Sequence, residues 1–165
     1  MALSATSAKS ADRMAGKYLA FRIGNEEYGL EILKVREVIM MMDITHVPRT
    51  PVFIKGVVNL RGRIIPVMDL RAKFGMPQAE GSAERCIVVA ALGGLEMGLI
   101  VDSVSEVLDI SADAVEETPS FGAGVATDFI LGIGKAGDKV TILLDLDKVL
   151  TKAEVEAVAK TDADH

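Results

Sequence analysis

The chain has 165 residues, half of them hydrophobic and a quarter charged, which excludes a disordered tail and allows one domain or two very small ones. Its 18 basic and 24 acidic side chains leave a net charge of −6, and Trp is absent, so general binding to nucleic acid, anionic membrane or stacked bases is disfavoured. The charge is uneven: residues 1–83 hold 12 basic and 8 acidic groups (+4), whereas residues 84–165 hold 6 and 16 (−10).

Residues 1–16 read as a disordered arm without the apolar stretch of a signal peptide. No later apolar run approaches the ~20 residues of a membrane span, so a soluble cytoplasmic protein is expected. From Lys17, alternation of Leu19, Phe21 and Ile23 with polar or small neighbours predicts a half-buried strand. Gly24–Glu27 is a turn, and Tyr28-Gly29-Leu30 resumes a strand. In Ile32–Ile39, apolar residues three and four apart predict a short amphipathic helix. Val57–Leu60 and Ile64–Met68 flank Arg61-Gly62-Arg63, a hairpin pattern, and Pro66 predicts an edge or bulged position in its second strand.

The second half repeats this order. Residues 86–92 and 97–101 read as strands around a Gly93-Gly94 turn, followed by a second apolar helix at Val104–Leu108. Tyr28–Leu30 and Val35–Ile39 match Met97–Leu99 and Val104–Leu108 at an offset of 69, and Phe53, Gly56, Asp69 and Leu70 match Phe129, Gly132, Asp145 and Leu146 at an offset of 76. The difference is absorbed by a longer loop around Ala112–Asp128. Two copies of one β-rich unit follow, and short strands with tight turns suggest small closed barrels. Thr151–Glu154 is a capping box that opens a C-terminal helix in 151–165.

Reactive constellations are scarce. Cys86 is the single cysteine; no intrachain disulfide is possible, and its apolar run reads as core. His46 and the terminal His165 cannot build a convincing zinc site with it. Asp69 and Asp145 hold equivalent repeat positions, which favours a turn-bonding role over catalysis. Gly132–Gly137 satisfies GxGxxG, yet a dinucleotide site needs a helix after the loop, and Val140–Leu144 reads as a strand. Met40-Met41-Met42 is read as core filling or a strand start in preference to a partner surface. Arg61 and Arg63 at a hairpin tip suit recognition of carboxylates.

The run Phe53–Gly62 together with Pro66–Arg71 closely resembles the signature of the CheW-like domain family of bacterial chemotaxis. The resemblance extends over Lys17–Leu150, including Gly29–Glu37 and Val101–Leu108. It implies a mainly β fold: two SH3-like five-stranded β-barrels, at 17–83 and 84–150, with short helices. It implies a stand-alone adaptor with no catalysis, cofactor or metal, joining a chemoreceptor's cytoplasmic coiled coil to the regulatory domain of the histidine kinase CheA. In the family the receptor helix lies in a groove between the barrels. Carried over by position, the receptor contacts are Val35, Glu37, Arg61, Val104 and Val107, with Arg61 pairing an acidic receptor residue. Kinase contacts fall loosely near Leu99, Gly132 and Ile142. The rival readings are a nucleotide-binding enzyme using Gly132–Gly137 and a small-barrel nucleic-acid binder.

Overall fold

The computed structural model describes residues 16–77, 84–92, 95–116, 129–136 and 138–149. Of the expected arm at 1–16, Gly16 belongs to a strand and residues 1–15 lie outside the described residues, as do the Gly93-Gly94 turn and the helix from 151. In chain order the elements are β1 (Gly16–Ile23), β2 (Glu26–Glu31), a 3-10 turn (Ile32–Lys34), β3 (Val35–Met40), β4 (Ile54–Leu60), β5 (Arg63–Asp69) and α1 (Leu70–Lys73). Then follow β6 (Cys86–Leu92), β7 (Leu95–Val101), β8 (Ser103–Ile110), a 3-10 turn (Ala112–Ala114), β9 (Val115–Glu116), β10 (Ile130–Ala136), β11 (Lys139–Leu144) and α2 (Leu146–Val149). The fold is mainly β, as expected.

The repeat is physical. Strands β1, β2 and β3 recur as β6, β7 and β8, while β4, β5 and α1 recur as β10, β11 and α2. The Asp69 N–H donates to the Phe53 carbonyl at 2.8 Å, and the Asp145 N–H donates to the Phe129 carbonyl at 2.8 Å. The Asp69 carboxylate also accepts from the Arg71 N–H at 3.0 Å, capping α1. The bulges repeat too. Arg36 is the extra residue where β3 pairs β6, and Ser105 where β8 pairs β1. Lys55 and Leu131 are the extra residues of β4 and β10.

The copies do not occupy separate sheets. Sheet I runs β8-β1-β2-β11-β10-β9 and sheet II runs β3-β6-β7-β5-β4. A boundary at 83/84 therefore cuts through both sheets: each copy lends its first two strands to the other's sheet. The charge halves must be regrouped accordingly. Residues 35–101, which build sheet II, hold 8 basic and 6 acidic groups (+2), and 16–34 with 102–150, which build sheet I, hold 6 and 13 (−7). The polarity survives the regrouping in weaker form.

The swap explains the apolar runs. Residues of β6 alternate between two cores: Val88, Ala90 and Leu92 join a central cluster with Leu19, Phe21, Leu30, Met68 and Leu99, while Ile87 and Val89 join Val58, Ile65 and Val67 behind sheet II. A strand buried on both faces reads as continuous hydrophobe. A third cluster, Tyr18, Ile110 and Leu143, fills sheet I. Burial, with Glu31 beside it, pushes the Tyr18 hydroxyl up to about 12.

Four expectations need correction. Val35–Ile39 and Val104–Leu108 are strands, not helices. The bulges at Arg36 and Ser105 each insert one residue, so Val35 and Val38, like Val104 and Val107, share a face at a spacing of three and imitate a helical period. Pro66 lies in an interior strand between β4 and β7, tolerated because β7 pairing begins only at Val67. The Ala112–Asp128 loop starts with a 3-10 turn and β9, which pairs with Ile133 and Gly134; residues 117–128 lie outside the described ones. Cys86 is half-buried, with its thiol pushed up by burial and partly offset by the Val104 backbone.

Candidate functional site

The site forms where the two edge strands, β3 of sheet II and β8 of sheet I, border the central core. Directly opposed residues share a face. Val35 and Val38 sit opposite Ala90 and Val88, and Val104 and Val107 sit opposite Phe21 and Leu19, all four partners belonging to the central cluster. The core face thus runs outward onto both edges and ends uncovered. Val35 and Val104 remain half-buried against the core, while Val38 is 43%, Val107 51% and Met40 84% exposed. Met40 sits opposite Cys86, and Val104 contacts the Cys86 thiol through its backbone, so the edges meet around Cys86. Singly exposed apolar side chains are ordinary, but a run continuous with the core on two facing edges marks a docking surface.

Of the Met triplet, only Met42 packs against a core, behind sheet II; Met40 and Met41 are exposed. Core filling therefore holds for one of three. Sequence reading missed Val38 and Met40 as part of this surface, although the Met run was the available signal.

Arg61 reaches the same edge strand through Glu37 of β3. The β4–β5 turn is two residues, Arg61 and Gly62, with φ of 53° and 88°. Positive φ at both is the turn that matches strand twist. The Asn59 side chain accepts from the Gly62 N–H at 2.8 Å and braces it. Arg61 Nη2 donates to both Glu37 carboxylate oxygens, at 2.6 and 2.9 Å. Two predicted contact residues thus hold each other. The pair is exposed, so it adds at most about 1 kcal/mol to stability and is cheap to rearrange.

The expected kinase-contact residues do not share one surface. Leu99 is wholly buried in the central core, opposite Met68, so its side chain is not offered to a partner. Gly132 is buried beside the β10 bulge, and Ile142 is half-buried against the central core. Of the GxGxxG segment, Gly132–Ala136 lie in β10 and Gly137 lies outside the described residues; the next element is strand β11 and not a helix, so the dinucleotide arrangement is not formed. Asp69 is buried, with Lys55 3.9 Å away, and serves the α1 cap. His46 lies exposed between β3 and β4. Among the described residues, no helix is long and apolar enough to cross a membrane.

Two β-sheets whose edge strands β3 and β8 carry exposed apolar side chains beside an arginine–glutamate pair have the features of a protein-binding domain. Residues 17–154 match the CheW-like domain, and the chain belongs to that family of chemotaxis adaptors. It is 39% identical to the chemotaxis protein CheW of Klebsiella aerogenes over 166 residues, covering 100% of both chains. It is 33% identical to the chemotaxis protein CheW of Thermotoga maritima, covering 84% of this chain and 89% of that one. The crystal structure of the scaffolding protein TtCheW from Thermoanaerobacter tengcongensis superposes with a TM-score of 0.77 at 38% identity, covering 85% of this chain and 95% of that one.

Proposed function

We propose that this chain couples the cytoplasmic coiled-coil tip of a chemoreceptor to the regulatory domain of the histidine kinase CheA. It would act in the cytoplasm, recruited to receptor arrays at the membrane, without catalysis. The observation that carries the reading is the core face exposed along β3 and β8, with the Arg61–Glu37 pair held on the same edge strand β3. An amphipathic helix laid on it would cover Val35, Val38, Val104 and Val107 and bring an acidic residue to Arg61. The kinase side is assigned to the β10–β11 hairpin around Gly132 and Ile142, with Leu99 acting only through the core. Both contacts should be of the modest, transient kind, with micromolar-scale affinities.

The test is binding of the folded protein to a receptor cytoplasmic fragment and to CheA's regulatory domain. Both should bind. Arg61→Ala should weaken receptor binding about fivefold, as for loss of one charge-assisted contact, and leave kinase binding unchanged. Absence of binding to either partner would overturn the coupling role. Equal loss in both would remove Arg61 from the receptor side.

A further inference from the structure

Beside the Arg61–Glu37 pair lies a second polar position. Arg36, Ala91, Leu95 and Glu96 line a half-open pocket of about 270 Å³. Arg36 is the extra residue of the β3 bulge, and bulges re-aim the side chain they insert. Here the bulge turns it past Ala90 toward Ala91 on β6 and Leu95 and Glu96 on β7. The bulge itself needs no arginine, because Ser105 fills the same position in the other copy.

The electrostatics leave Arg36 over. Arg61 is paired with Glu37, and Arg63 with Glu96. Among the described residues, no ion pair holds Arg36. Three guanidinium groups and two carboxylates therefore leave one positive charge at the pocket. Its floor, Ala91 and Leu95, is apolar. That combination fits an aliphatic carboxylate, with methylenes on Leu95 and the anion on the guanidinium fork. Arg36 lies on the edge strand β3, one residue after Val35 and next to the Glu37 that holds Arg61.

We propose that the Arg36 pocket seats an acidic side chain, of Glu type, carried by the receptor helix, as a second anchor separate from Arg61. This rests on the coupling role proposed above. The experiment measures affinity for a receptor cytoplasmic fragment as a function of salt for wild type, Arg36→Gln, Glu96→Gln and Arg61→Ala. Arg36→Gln should weaken binding about fivefold and flatten its salt dependence. Glu96→Gln removes a competing carboxylate and should tighten binding about twofold. A purely structural role for this cluster would not give opposite signs. If Arg36→Gln binds like wild type while Arg61→Ala is weakened, the second anchor is wrong and the coupling role stands. If both Arg36→Gln and Glu96→Gln weaken binding, the pocket only shapes β3 and the anchor is overturned. If wild type does not bind the fragment, the receptor-coupling role fails, and the anchor with it.

Discussion

Gly56→Ala is expected to lower the stability of this chain by about 4 kcal/mol or more, at the severe end for a single substitution. Gly56 has a φ of 144°, and a Cβ built there would lie 2.0 Å from the Thr45 carbonyl oxygen and 2.7 Å from its carbon. That oxygen accepts the Val57 N–H at 2.9 Å, while the Thr45 N–H donates to the Val57 carbonyl at 2.8 Å. The methyl group would occupy the space that this reciprocal bridge needs. Displacing Thr45 would also lift Ile44 and Met42 from the core behind sheet II. The melting temperature should fall by about 10–15 °C, given the entropy of unfolding of a domain of this size. Gly62→Ala is the control. Gly62 also has positive φ, but its Cβ would meet nothing within 4 Å, so the cost should be about 1 kcal/mol, for the backbone alone. Equal losses in the two variants would show that steric contact with Thr45 is not the cause.

What could be read from the sequence was whatever is encoded locally or by repetition. The Phe53/Asp69 and Phe129/Asp145 matches predicted equivalent turn positions, and each pair makes the same backbone hydrogen bond. The Arg61-Gly62 hairpin was legible because its turn chemistry lies in two adjacent residues. The edge strands were misread for a specific reason. A bulge adds one residue to a period of two, so Val35 with Val38 and Val104 with Val107 fall three apart, as on a helix. Period alone cannot separate a helix from a bulged strand.

The exchange of strands between copies was invisible for another reason. Each copy carries the same strand order whether it closes on itself or lends β1–β2 and β6–β7 to the other sheet. Only long-range pairing, such as the parallel contacts of β2 with β11 and of β5 with β7, decides it. The exchange also sets where the edges fall. Because β3 and β8 are left at the edges of different sheets, no further strand among the described residues pairs with either outer edge. Met40 reads as core by composition, yet its neighbour beyond β3 is missing, and its side chain is exposed.

Asp102→Asn is expected to cost about 2–3 kcal/mol at neutral pH and progressively less in acid. Asp102 stands where the chain leaves β7 of sheet II and enters β8 of sheet I. Its carboxylate accepts from Arg71 Nε at 3.0 Å and Nη2 at 2.6 Å, and from the Gly24 N–H at 2.7 Å. Its own N–H donates to the Arg22 carbonyl at 3.0 Å. Arg71 belongs to α1, which follows sheet II, and Gly24 to the β1–β2 turn of sheet I, so one side chain clasps both sheets two residues before Val104. The Arg71 guanidinium, with the Gly24 N–H, holds the Asp102 carboxyl below its ordinary 3.8 despite partial burial. A carboxyl depressed in the folded state contributes stability that is complete above its unfolded value. That contribution is lost as pH falls through the folded value. The gap between wild type and Asp102→Asn in urea unfolding should therefore be constant from pH 7 to about 5 and shrink below about 4. A gap unchanged at pH 3 would mean that packing at Asp102, and not its charge, makes the clasp. The clasp fixes the start of β8 against both sheets, so Asp102→Asn should also loosen the Val104 side of the site and weaken receptor binding under conditions where the variant stays folded.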